Sequence, residues 1–439
     1  MAVRSQRFPR CLYLFLIVLL LVLDLVSEQA SAKPSRTDRF GDLLPPGAIA
    51  RLGTLRLRHG SSILALAFSP DGKMLASGGA DNRVSIWDAA TGKELHRLPN
   101  VESTVKTVVF SPDGKLLALV TKKGRSIYLQ DAATGKELRK VKLDTHSVEM
   151  AAFSPDGKFL AWGSDKTVHL WDVDAAKEIE PLKGFGQRIG FLSFTPDGKA
   201  LLVGSSTDDP HSTVGEITRR DLTTGNEIRR FKVDRDGGSV DEAGAVRLAA
   251  LSPNDKHLVS IGEDDALRCW ELSSGEEIWR LRRADGQWMA LGLSPDGKLL
   301  AVSNWQRGEG GVVKLCDAAT GRVLRQLQGL SDLTTRIVFS PDGKAIATAG
   351  WYRCVRFFDP ATGLELPRMF GHQAEVHTAV FCRDGERVAT GADDGSFRIW
   401  EAATGKELRR IDNSGGRGCQ VASFDGKRLI LMDDSSPIR

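Results

Sequence analysis

Asp208, Asp209 and His211 crowd into SSTDDPHSTVGE, residues 205–216, and carry the oxygens and imidazole of a possible metal-ligand set. A hard cation wants several oxygens converging from a fixed spacing. DDPH supplies no such spacing, so no metal site is expected there. Eight histidines in 439 residues are few for an enzyme that must gather polar groups from many elements. Cys269, Cys316, Cys354, Cys382 and Cys419 form no CxxC pair, and most sit in strand-like runs such as LRCW, VVKLC and AVFC. Free cysteine there behaves as a small buried hydrophobe, so core thiols are expected. Their odd number leaves at least one unpaired within a monomer. Contact chemistry is better represented. Trp305 and Arg307 lie in NWQRGEGG, residues 304–311, and Trp351, Tyr352 and Arg353 lie in GWYRC. Aromatic and basic side chains of this kind anchor interfaces. These five residues form the expected binding surface, with no catalytic residue, cofactor or metal.

The elements that would position them come from a repeat. A turn phrase recurs nine times, at 69–72, 111–114, 154–157, 195–198, 252–255, 294–297, 340–343, 382–385 and 423–426, usually as Ser-Pro-Asp-Gly. Further along each of the first eight units a strand ends at a fixed position, held by Trp87, Gln130, Trp171, Arg220, Trp270, Cys316, Phe358 and Trp400. The first unit reads as four short strands, ILALAF, MLASGG, RVSIWD and ELHRL, joined by turns rich in Pro, Asp, Asn and Gly. Such a meander cannot bury both faces alone, but copies stacked radially can. GKELRR-like phrases read as polar faces of edge strands.

The units resemble WD40 repeats, which carry Gly-His near the start and Trp-Asp near the end. Trp87-Asp88 and Trp171-Asp172 match the closing dipeptide, and Trp270-Glu271 and Trp400-Glu401 are close variants. The resemblance covers about residues 50–439, and the SPDGK and DAATGKELRR phrasing is similar to that of exported bacterial, planctomycete-type members. It implies an all-β fold, a WD40-type β-propeller of four-stranded antiparallel blades. It also implies a non-catalytic protein-interaction scaffold presenting loops on a rigid frame. By the same resemblance, His59, Ser77, Asp81 and Trp87 form one structural tetrad, and His372, Thr390, Asp394 and Trp400 another. A His–Asp pair looks like catalytic hardware. No nucleophile recurs beside it as a hydrolytic triad needs, so the structural role is expected. The third unit is partial, with Trp162 near the Ser/Thr position, and the fifth keeps Ser260, Asp264 and Trp270.

Eight complete units run from about 63 to 411, and residues 419–431 begin a ninth. TLRLRHG, residues 54–60, takes the place of a fourth strand before the first unit. Eight blades are expected, with nine, the last shared between the termini, as the alternative. Closure of either ring would remove exposed sheet edges.

Before the repeat, MAVRSQRFPR, the apolar CLYLFLIVLLLVLDLV and Ala30-Ser31-Ala32 have the layout of a secretory signal over residues 1–32. The alternative is a membrane anchor formed by residues 11–26, although the apolar run is short for a span. Residues 33–48 read as a linker and 49–439 as one propeller domain. The body is expected to be exported, periplasmic or extracellular, and to touch membrane only if the N-terminal segment stays uncleaved. A net charge of +4 with interspersed signs argues against a nucleic-acid surface. An unidentified protein partner and a monomeric propeller are expected. The alternatives are a small-ligand or glycan-binding propeller and, further off, a propeller enzyme.

Overall fold

The computed structural model describes residues 37–38, 41–42, 44, 56–98, 101–121, 126–143, 148, 150–164, 166–185, 189–206, 215–233, 246–262, 264–282, 287–306, 310–328, 330, 333–366, 372, 376–381, 385–392, 394–412, 420–424 and 429–432. The expected export segment, Asp208, Asp209, His211, Arg307, Cys382 and Cys419 lie outside them. Every element described is a β-strand, and no described helix is long and apolar enough to cross a membrane.

The turn phrases explain where strands stop. In the first unit, Ser69 Oγ donates to Asp71 Oδ1 at 2.6 Å and accepts the Met74 amide at 2.9 Å. The Lys73 amide donates to the same Asp71 oxygen at 3.0 Å. This local bonding closes the turn between the inner strand Ile63–Phe68 and the next, Met74–Gly79. Gly72 takes φ +69°, which a side chain rarely adopts. The other corner is made by the aspartate that follows the repeated Trp position. Asp88 Oδ1 accepts both the Thr91 amide and the Thr91 hydroxyl at 2.7 Å, joining Val84–Asp88 to the outer strand Glu94–Arg97.

Repeated turns give repeated sheets. Eight antiparallel meanders are present, the count expected of an eight-bladed propeller, and Gln420–Phe424 pairs with Leu429–Met432 in a further two-stranded sheet. Seven meanders have four named strands; the seventh in sequence has three, with a single bridge from Phe358 to Glu365 in the fourth place. The fixed position keeps one register throughout: Trp87 pairs with Leu75, Gln130 with Leu117, Trp270 with Leu258 and Trp400 with Val388.

By Cα proximity the chain divides into two compact units, Leu55–Ala374 and a second made of Met1–Thr54 with Glu375–Arg439. The second holds the eighth meander, 376–412, and the two-stranded sheet. Within Leu55–Ala374 the inner strands of seven blades pack in a complete cycle, the first, Ile63–Phe68, against the seventh, Thr334–Phe339. The last seam has its own core, in which Ile63, Leu75 and Trp87 pack with Ala347, Val355 and Phe357. The proline of one turn abuts the glycine of the next blade's turn around this cycle. A Cβ placed on Gly114 would lie 3.6 Å from Pro70, and one on Gly72 3.3 Å from Pro341 of the seventh blade.

The segment before the first blade completes the seventh. Arg58 bridges Cys354, the His59 amide donates to the Arg353 carbonyl, and the Val355 amide donates to the Leu57 carbonyl, each of these two at 2.8 Å. Residues 57–59 thus stand in for an outer strand, and they cover an edge of the seventh blade that Glu365 and Leu366 cover only in part.

The outer strands are tied down by glutamates of the GKEL-like phrases. A residue of the third strand bonds a glutamate nine positions on, as in Ser85–Glu94 at 2.7 Å, His169–Glu178 at 2.6 Å and Arg398–Glu407 at 2.6 Å. Arg356 grips Glu365 with two nitrogens, at 2.9 and 2.6 Å. The glutamates of these four phrases therefore anchor their strands through charged or polar hydrogen bonds.

Candidate functional site

The first blade assembles the polar chain expected of it. Trp87 Nε1 donates to Ser77 Oγ at 2.7 Å, and Ser77 Oγ lies 2.7 Å from His59 Nε2. His59 Nδ1 stands 3.2 Å from Asp81 Oδ1. With Asp81 ionised, one arrangement satisfies every group: the indole donates to the serine, the serine to Nε2, and Nδ1–H to the carboxylate. Burial pushes the Asp81 carboxyl up, but the hydrogen bond from His59, with the Gly60 and Arg83 amides, holds it below the usual aspartate range. Trp87 and Ser77 are fully buried, so no substrate reaches the chain. Its geometry locks the segment carrying His59 onto the first blade.

The eighth meander keeps the Trp400–Thr390 bond at 2.7 Å, and His372 is buried. Asp394 Oδ1 accepts the Ser396 hydroxyl at 2.7 Å, and its other oxygen lies 3.7 Å from Arg398. In the fifth blade Trp270 donates to Ser260 at 2.9 Å, while Asp264 takes Arg268 as partner.

One arrangement was not foreseen. In the third blade, Trp162 occupies the serine position of the first and stacks on His169, with ring centroids 5.4 Å apart. His169 Nε2 is 2.8 Å from Ser164 Oγ, and Nδ1 is 2.6 Å from Glu178. That is the connectivity of a hydrolase triad. Ser164 is only 2% exposed, however, so its hydroxyl has no path to a carbonyl. His169, two residues before the repeated Trp171, was the available signal, because other units place Ser85, Arg268 or Arg398 there.

The expected surface residues separate. Trp351 is 59% exposed and Trp305 38%. Arg353 is exposed and takes φ +58°, with its carbonyl held by His59. Tyr352 is a correction: it is buried, and its hydroxyl donates to Thr348 Oγ1 at 2.9 Å. The turn points Trp351 out and Tyr352 in, where burial pushes its phenol up. The described residues of NWQRGEGG extend the sixth blade's second and third strands, Leu299–Gln306 and Gly310–Asp317. Asn304, Trp305 and Gln306 pair with Val312, Gly311 and Gly310, so Trp305 rides on a strand. Trp305 lies near the end of the sixth blade's second strand and Trp351 just after that of the seventh, both at the end of the sheets opposite the Pro-Asp-Gly turns. Among the described residues, no group of three or more His, Cys, Asp or Glu side chains is placed to hold a metal ion.

Comparison with known proteins agrees with this geometry. The WD domain, G-beta repeat model matches residues 51–88, 135–172, 321–359 and 364–401, each stretch ending on the dipeptide at the close of a third strand. An uncharacterised WD repeat-containing protein of Nostoc is 59% identical over 34 residues, 8% of this chain and 2% of that protein. The small ribosomal subunit protein RACK1 of Brassica napus is 36% identical over 70 residues, 16% of this chain and 21% of that protein. The matches thus span about a fifth or less of these relatives' length. Among solved structures, the Cps50 (Swd1) β-propeller domain of Myceliophteria thermophila aligns with a TM-score of 0.58 at 20% identity, over 70% of this chain and 99% of that one. At that identity the likeness concerns the fold. The fold is that of a WD40-type β-propeller, and the repeat model matches the chain over those four stretches.

Proposed function

We propose that the protein is a non-catalytic interaction scaffold that binds a partner protein through the face bearing Trp351 and Trp305. The observation carrying this reading is Trp351, a large indole 59% exposed on a short turn whose neighbours are fixed. Tyr352 is pinned inside by Thr348, and Arg353 is held through its carbonyl by His59. An aromatic presented on so rigid a support loses little side-chain entropy on binding. Interface hot spots are enriched in such residues. Likeness to a protein named as part of the small ribosomal subunit suits membership of an assembly. The buried tetrad and the buried Ser164 leave the polar clusters as supports of the blades.

The test is affinity capture from the native organism with wild-type bait and the Trp351→Ala and Trp305→Ala variants. A protein retained by wild type and reduced at least about tenfold by Trp351→Ala is the expected result, the loss of a central aromatic anchor. Equal capture by all three baits would overturn this choice of surface. Exposed indoles also stack on sugars, and competition by soluble oligosaccharide would favour a glycan-binding propeller instead.

A further inference from the structure

At the seam between the seventh and first blades, on the end carrying the Pro-Asp-Gly turns, a cleft of about 280 Å³ opens. Phe68, Ala89, Ala90 and Ala345 make its apolar walls, and Asp71 and Asp342 stand at its mouth. The other seams show why it opens here. The residue that starts the second strand is Met74, Phe159 and Leu299 in the first, third and sixth blades, and each packs into the core of its seam. In the fourth blade it is the small Ala200, but there Arg219 reaches across to Asp255 at 2.9 Å. At the seventh the equivalent position, just before the second strand Ile346–Gly350, holds Ala345, and no side chain replaces the missing volume among the lining residues.

The chemistry of the mouth is specific. Each carboxylate spends Oδ1 on its own turn, Asp71 on Ser69 and the Lys73 amide, Asp342 on Ser340 and the Lys344 amide. Those bonds, the serine's first, hold both carboxyls below the ordinary aspartate range. Each Oδ2 faces only a lysine at the surface, Lys73 at 3.6 Å and Lys344 at 3.9 Å, with those side chains 82% and 84% exposed. Ion pairs so exposed are weak and readily exchanged.

We propose that this cleft is a docking site for one arginine side chain of an extended partner segment. The alanine walls suit the aliphatic stem, the Phe68 ring suits a cation held against an aromatic, and two carboxylates suit a planar fork of donors. Lysine, a compact and strongly hydrated point charge, uses this arrangement less well. The proposal rests on the reading of the protein as an interaction scaffold, and it names a second surface, at the opposite end of the blades from Trp351.

The experiment is a ligand-detected NMR titration of the full chain with N-acetyl-arginine amide, with the citrulline amide as neutral isostere. Saturable binding of the arginine probe is expected, with citrulline weaker by at least about tenfold, the loss of a charge-assisted contact. Ala345→Met, which copies the Met74 filling of the neighbouring seam, is expected to abolish binding. Asp71→Asn and Asp342→Asn are expected to weaken it while keeping their turns, because Asn254 already accepts the Ser252 hydroxyl at 2.7 Å in the same place. The asparagine pair decides the matter if the methionine variant folds poorly. Equal binding of citrulline, binding unchanged by these variants, or no saturable binding overturns the arginine site. Such a failure leaves the Trp351 capture result standing, so the two readings fail separately.

Discussion

Ser77 is the pivot of the first blade's polar chain, since it is the single atom between an indole donor and an imidazole acceptor. Ser77→Ala strands both groups in a fully buried place, which costs about 1–3 kcal/mol for each unsatisfied partner. Urea denaturation is expected to show the loss as a lower midpoint at unchanged slope. Asp81 adds a pH dependence. Its folded pKa is depressed, so its contribution is complete above the unfolded value of about 3.9 and disappears as pH falls through the lower folded value. The melting-temperature deficit of Asp81→Asn is expected to be full near neutrality and to shrink below about pH 4. A deficit constant across that range would mean that the carboxylate's charge contributes nothing. The tetrad members were legible because they occupy repeat positions. Tyr352 was not: adjacent residues of a tight turn point in opposite directions, and only packing decides which is inward.

At the scale of elements, the segment around Leu57 has the largest consequence for its length. Leu57 is fully buried at the seam and sits at φ +57°, unusual for leucine, while its carbonyl holds Val355. Its neighbours include the turn of the first blade, where a Cβ on Gly92 would come within 2.9 Å of the leucine side chain. Leu57→Ala is expected to cost about 2–5 kcal/mol, as a buried leucine truncation does. Thermal unfolding followed by tryptophan fluorescence is the measurement, because Trp87 lies in the same core. A shift as small as that of a surface substitution would show that the seam closes without this segment. The repeated turn phrases made the strands within each unit legible in the sequence. The bonds of the outer-strand glutamates were not legible, because their partners lie on the neighbouring strand, nine residues earlier.

Across the larger unit, Cys269, Cys316 and Cys354 are buried thiols, the first two in the core of the seam between the fifth and sixth blades. Burial pushes the Cys269 thiol up to about 12 and the Cys316 thiol to about 11. Neither forms appreciable thiolate near neutrality, and thiolate is the reactive species. Native protein is therefore expected to resist iodoacetamide at all three positions. Peptide mass spectrometry is expected to show them labelled together as the cycle of blades unfolds in urea. Early labelling of Cys354 alone would reveal a seam that opens before the rest.

The sequence by itself determined the repeat, the strand order within each blade and the turn chemistry, because all of these depend on spacing within one unit, whereas the tetrad was implied by the resemblance to WD40 repeats. It also determined that eight meanders exist. Tertiary structure alone decided that the inner strands of Leu55–Ala374 close a cycle of seven. Two things bring this about: the 56–59 segment covers the edge of the seventh blade, and the first and seventh blades bury a shared core. It also decided where a cleft stays open, since Ala345 matters only through what the neighbouring blade fails to place opposite it. Local spacing encodes a blade, whereas closure and cavities depend on how side chains far apart in sequence fill the space between blades.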